Sequence, residues 1–214
     1  MPPSADPHVF RVLVVCTGNV CRSPLIEQML HTTYADCSQV SFASAGTHAM
    51  VDAQMPQPAQ DLAVRLGVDV ALPAAHEPSQ LTEWAVNRAD LVLAASREHR
   101  ADVVRALPRA NRYTFTLREA ARLLESVASN PPATLPPRDT LATPQGLRAL
   151  VAAMLAERGF AAMPDDPADD DIVDPYLRSP AFYDRSGAQV SEALARAQQA
   201  LSTLLPAELA LRQP

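Results

Sequence analysis

The chain has 214 residues, 18 Lys and Arg against 24 Asp and Glu, a formal net charge of −6, and three cysteines. That acidic balance argues against a nucleic-acid partner, and no stretch approaches the ~20 apolar residues of a membrane span. Three cysteines make no disulfide framework and fit a reducing cytosol, while a 48 % hydrophobic content suits one packed domain with insertions.

In chain order, residues 1–8 read as a loose leader without a charged-then-apolar signal pattern, which leaves 9–214 as the domain. Val12-Leu13-Val14-Val15 reads as a buried parallel strand. Apolar residues at Leu25, Ile26, Met29 and Leu30 then predict a helix over 25–34. A second strand is expected at 40–43 and a helix at 58–66, closed by Gly67. Residues 81–89 read as a short helix whose lone Trp84 serves packing. A third strand (91–94), a helix (97–107), a fourth strand (113–115) and a helix (117–127) follow, with Arg118 and Arg122 facing solvent. The prolines at 131, 132, 136 and 137 predict a loop over 128–145. A helix over 146–158 completes an expected insertion, about 128–160, read as a mobile surface excursion. Val190, Leu194, Ala197, Leu201 and Leu205 predict a closing helix over 188–211. The alternation implies a single α/β domain: a four-stranded parallel sheet with helices on both faces, and ligands at the C-terminal ends of its strands.

The loop between the first strand and first helix, Cys16-Thr17-Gly18-Asn19-Val20-Cys21-Arg22-Ser23-Pro24, is the most specific feature. Ser23 and Pro24 suit an N-cap and first helical turn. Unpaired amides over a helix N-terminus welcome an anion. Gly18 lets amides converge, Asn19 tolerates a left-handed backbone, and the Arg22 fork matches two phosphate oxygens. A thiol in such a field is expected to react as its thiolate, which makes Cys16 the candidate nucleophile. Cys-x4-Cys is too sparse for a zinc site, so no metal or cofactor is expected. Cys21 has two readings: an inward-packing apolar side chain, or a partner forming a reversible, protective bond with Cys16.

Residues 14–24 resemble the phosphate loop of the low-molecular-weight protein tyrosine phosphatases. Ser44-Ala45-Gly46-Thr47 resembles the end of that family's second strand, and Asp174-Pro175-Tyr176 its late acid-bearing loop. The likeness spans roughly residues 10–125 and 170–205. It implies a phosphotyrosine-containing protein substrate and a double displacement. Cys16 would attack phosphorus, and Arg22 with the amides of Thr17, Gly18, Asn19, Val20, Cys21 and Ser23 would hold the oxygens. Asp174 would serve as general acid, then base. Tyr176 would stack on an aromatic substrate, and Ser44 and His76 would brace the loop; His76 is equally readable as a surface or structural histidine. Val20 stands where the family's arginine-phosphate phosphatases usually carry Thr, which favours phosphotyrosine.

The acidic stretch 165–174 offers competitors to Asp174. Asp165, Asp166, Asp169 and Asp170 read as a solvated charged face, and Asp166-Pro167 lacks a following aromatic. Leu177 stands where many animal relatives have a second aromatic, and His48-Ala49-Met50 lacks a tryptophan. Two rivals remain. An arsenate reductase of the same fold needs late relay cysteines, and none follows Cys37. A non-catalytic phosphopeptide-binding module would need neither Cys16 nor Asp174. The Ala-, Arg- and Pro-rich style suggests a bacterial source, the cysteine usage a cytoplasmic protein, and the sequence specifies no oligomeric state.

Overall fold

A computed structural model describes residues 8–206. Residues 1–7 of the expected leader, and 207–211 of the expected closing helix, lie outside the described residues. The chain order is β1 (Phe10–Cys16), α1 (Arg22–Thr33), β2 (Val40–Gly46), α2 (Gln57–Arg65), α3 (Ala71–Ala74), α4 (Glu83–Arg88), β3 (Leu91–Ala94) and α5 (Arg97–Ala106). A 3-10 turn (Pro108–Arg112), β4 (Thr114–Thr116), α6 (Leu117–Ser129), α7 (Arg138–Leu141) and α8 (Pro144–Glu157) come next. A second 3-10 turn (Pro167–Asp170) and α9 (Pro180–Leu204) complete the described chain.

The four strands form one parallel sheet in the order β2-β1-β3-β4. The strand order reverses beside β1, so the loops leaving β1 and β3 diverge and open a crevice at their C-terminal ends. Alternation along β1 sorts its side chains between two cores. Val12 and Val14 join α1, α2, α6, α8 and α9 on one face, whereas Leu13 and Val15 join Val86 of α4 and Val103 of α5 on the other. Register sets Cys16 opposite Gly46 of β2 and Val15 opposite Ala94 of β3. A Cβ on Gly46 would lie 2.4 Å from the Thr17 carbonyl oxygen, so only glycine lets the second strand end against the loop.

Several local expectations change. Residues 138–141, expected as loop, form the single turn α7, because Pro137 ends the extended run and sits at its N-cap. The segment 128–160 is no loose excursion: Leu141, Leu150, Val151 and Met154 are buried in the core. Arg148 of α8 pairs with Asp90 at 2.7 Å, and Arg158 reaches Glu119 at 2.7 Å, so charged ends also fasten the segment. α9 starts eight residues before the expected 188, with Pro180 in its first turn. Trp84 is 61 % exposed, with the Arg88 guanidinium 4.8 Å from its ring, and is not a core residue. Arg122 does not face solvent freely; it pairs at 2.7 Å with Asp170, and both side chains are largely buried. No helix among the described residues is long and apolar enough to cross a membrane.

Candidate active site

The loop over 17–21 leaves β1 and enters α1 without a regular cap. Cys21 is the N-cap and makes no side-chain capping bond. Ser23, expected to cap, lies inside the first turn, and its hydroxyl is spent elsewhere. The loop carbonyls of Cys16, Thr17 and Gly18 accept from the amides of Thr47, His48 and Met50 at 2.9 to 3.0 Å. The amides of residues 18–21 donate to no protein acceptor among the described residues. Carbonyls turned outward and amides turned inward make a concave nest for an anion.

Asn19 holds that shape. Its φ is +56°, the left-handed conformation expected of an Asn in a tight turn. Its fully buried amide donates to Ser23 Oγ at 2.9 Å and to Ser44 Oγ at 2.7 Å. Its side-chain oxygen accepts from the Ser79 amide at 2.7 Å, and its carbonyl lies 2.8 Å from His76 Nε2. Ser44 in turn donates to Glu27 Oε2 at 2.5 Å. Because Ser23 Oγ accepts from Asn19, its own proton is free to point at Cys16 Sγ, 2.9 Å away. The chain Glu27–Ser44–Asn19–Ser23 therefore ends in a donor aimed at the sulfur. Ser44 and His76 both lie within hydrogen-bond distance of Asn19, one at its side-chain amide and the other at its carbonyl. Glu27 and Ser79 are members that sequence reading missed; Glu27 lies one helical turn after Ser23, a spacing that hints at a shared face.

Cys16 is only 2 % exposed, but its sulfur meets a hydroxyl at the base of the nest rather than a wholly apolar interior. Arg22, also buried, sends Nη1 to the Ile172 carbonyl at 3.3 Å and Nη2 to Asp174 Oδ2 at 2.8 Å. Its Nε is buried and has no hydrogen-bond partner among the described residues. A buried donor left so costs about 1–3 kcal/mol, which an anionic oxygen would offset. Cys21 packs in the apolar core. Burial first, and then the negative charge of Cys16 and Asp174, push its thiol up to about 12, so it stays protonated. Val20 is buried beside it.

Asp174 comes from a different part of the chain. Ile172 donates to the Ala95 carbonyl beyond β3 at 2.8 Å, Asp171 pairs with Arg97 at 2.9 Å, and Val173 donates to Gln189 Oε1 at 2.9 Å. Those bonds carry the loop 171–177 over the nest. Asp174 is half exposed, and its second oxygen accepts from the Tyr176 amide at 3.2 Å. Tyr176 packs partly against the core, while Leu177, at φ +56°, stands 82 % exposed at the rim. Of the competing aspartates, Asp170 is tied to Arg122 and is not part of a solvated face. One buried histidine also escaped sequence reading: His99 bridges Ser96 and Thr17. Its signal was Ser96 three residues earlier, at the α5 N-cap. An apolar cavity of about 180 Å³ lies between α1, α8 and α9 at the N-terminal ends of the strands, away from this site.

These features define a doubly wound α/β protein with an anion nest, a thiol and a carboxylate at its switch point. Residues 11–125 match the family model for low molecular weight phosphotyrosine protein phosphatase, and the chain belongs to that family. It is 33 % identical over 106 residues to the low molecular weight protein-tyrosine-phosphatase Ptp of Acinetobacter johnsonii, covering 50 % of this chain and 70 % of that one. It is 34 % identical over 114 residues to a protein-arginine-phosphatase of Geobacillus stearothermophilus, covering 51 % and 70 %. The fold is that of the Erwinia amylovora tyrosine phosphatase amsI, with a TM-score of 0.60 at 24 % identity over 91 % of this chain and 94 % of that one. Asp174 lies beyond the residues the family model matches, so its case rests on geometry.

Proposed function

We propose that the protein is a protein-tyrosine phosphatase that hydrolyses phosphotyrosine through a cysteinyl-phosphate. One observation carries the reading. Arg22, in the loop of Cys16, holds Asp174 at 2.8 Å, so nucleophile, phosphate ligand and acid share one cradle.

The Cys16 thiolate attacks phosphorus as the bond to the phenolic oxygen breaks. The nest amides and Arg22 hold the three equatorial oxygens, donors fixed before the charge develops. Asp174, protonated, gives its proton to the departing phenolate, whose conjugate acid has a pKa of ~10 and which leaves poorly as an anion. Water then attacks the cysteinyl-phosphate and loses a proton to the Asp174 carboxylate, and the P–S bond breaks. Ser23, donating to the sulfur, eases departure of the thiolate. In the free protein the Asp174 carboxylate rests on Arg22. An incoming phosphate dianion takes over that guanidinium and releases Asp174, which takes a proton from solvent and turns toward the leaving group.

A second reading, phosphoarginine hydrolysis, is favoured by the similarity to a protein-arginine-phosphatase. The apolar Val20 favours the aryl ester. Side-by-side turnover of phosphotyrosyl and phosphoarginyl peptides decides between them. A kcat/KM preference for the aryl ester, abolished in Cys16→Ser, is expected. Faster cleavage of the P–N bond would overturn the substrate, and undiminished turnover by Cys16→Ser would overturn the mechanism.

A further inference from the structure

Thr17 directly follows Cys16, and its side chain is exposed where most of the loop is buried. Its Oγ1 lies 2.8 Å from His99 Nε2 and accepts a long, 3.5 Å bond from Arg22 Nη2. His99 is 3 % exposed, and its Nδ1 lies 2.8 Å from Ser96 Oγ. Ser96 Oγ also accepts the His99 amide at 3.4 Å. Each ring nitrogen thus faces a hydroxyl, and the two hydroxyls stand on the two loops that diverge at the switch point.

We infer that Thr17 is a phosphate-contacting hydroxyl and that His99, in the Nε2–H tautomer, is the residue that positions it. The hydrogen-bond geometry carries this assignment. Ser96 Oγ accepts the His99 amide and keeps its own proton to give to Nδ1, an arrangement that puts the ring proton on Nε2 and donates it to Thr17. Thr17 Oγ1, accepting from both His99 and Arg22, has its own proton left to donate into the nest. The reverse tautomer would turn that proton away from the nest and toward His99.

The surroundings support a ring that stays neutral. Burial first, and then the Arg22 cation, lower the His99 pKa to about 4, against the opposing pull of Asp102, Asp174 and Asp171. An imidazolium would place two donors on both hydroxyls and a second cation beside Arg22. Neutral His99 therefore steadies Arg22 and Thr17 without competing for the phosphate.

The inference rests on the phosphatase reading for its kinetic consequences, and not for its binding or spectroscopic ones. Gln at 99 can place a donor near Nε2, whereas Asn reaches only the Nδ1 side. His99→Asn and Thr17→Val are each expected to lower kcat/KM for an aryl phosphate, and to weaken inhibition by inorganic phosphate, by about tenfold, the size of one lost hydrogen bond. His99→Gln is expected to recover most of that loss. The double variant should be no worse than either single one, since both remove the same bond. Nitrogen-15 shifts of the wild-type ring should show Nε2 protonated from pH 8 down to 5. Multiplying losses, an active His99→Asn, or a ring protonated at Nδ1 would overturn the assignment. Calorimetric binding of inorganic phosphate by wild type and Thr17→Val tests it even if wild type hydrolyses nothing, the result that would instead sink the phosphatase reading.

Discussion

The loop 16–22 and the loop 171–177 meet at one cleft but are held by different physics. The first is buried, and Asn19, Ser23, Ser44 and His76 fix it through short neutral hydrogen bonds, with backbone bonds from residues 47–50 beneath it. The second is exposed at Asp174 and Leu177 and is moored by ion pairs at its base: Asp170 to Arg122, Asp171 to Arg97, and Asp174 to Arg22 itself. Oxyanion donors act best when prearranged, whereas an acid must admit substrate and follow the leaving group. The first half is built from mostly buried groups hydrogen-bonded to one another. The movable half is built from charges that water and substrate can compete for.

The sharpest way to break this contrast is to neutralise the acid alone. Asp174→Asn should lower kcat for a phenyl phosphate by about 10²–10⁴-fold, and by less for an ester with a more acidic phenol. A loss independent of the leaving group would make Asp174 a structural ligand of Arg22 instead. The first half is tested by Asn19→Ala, which removes three side-chain bonds and leaves alanine at positive φ. It should cost about 2–4 kcal/mol in a urea titration and slow turnover as well. Stability intact with activity lost would mean that the brace serves chemistry only.

His99 gives a comparison in pH. Its folded pKa, lowered to about 4, lies below the unfolded value of 6.5, so between those limits the unfolded chain binds the extra proton. The contribution is fully present above pH 6.5 and is lost as pH falls toward 4, roughly 3 kcal/mol in all. Urea midpoints of wild type should therefore fall more steeply across that window than those of His99→Gln; parallel curves would refute the shift. The smallest effect belongs to the loop 171–177. Leu177→Gly relieves a left-handed leucine that costs roughly 1–2 kcal/mol, which matches or slightly exceeds the cost of the added freedom of the unfolded chain. A melting temperature unchanged or slightly raised is expected, and a large fall would show that the Leu177 side chain holds the loop.

Much of the site was legible because its members are close in sequence. Cys16 and Arg22 lie in one loop between a valine-rich run and an amphipathic segment, and the turn chemistry of Asn19 foretold its positive φ. Local rules failed where a partner is distant. Arg122 and Asp170 looked solvated because one sits on a charged helix surface between Glu119 and Glu125 and the other in a run of aspartates, while their pairing spans 48 positions. Ser23 looked like a cap because Ser-Pro suits a helix start, yet Asn19 and Cys16 claim its hydroxyl. His99 is 82 positions from Thr17, beyond any spacing rule. Residues 128–145 read as loop from their prolines, and the whole of 128–160 as a surface excursion, while its burial depended on the sheet face it would meet.

By itself, then, the sequence determined the order of the strands and the longer helices, the parallel sheet and the turn that opens the first helix, since periodicity and turn residues act over a few positions. Only the tertiary structure decided which acid faces the nest, which hydroxyls brace it and which charges are buried. Those outcomes depend on the strand order, which brings the ends of β1, β2 and β3 together and lays residues 171–177 across them. Burial then selects, among many polar side chains, the few whose hydrogen bonds can be completed there.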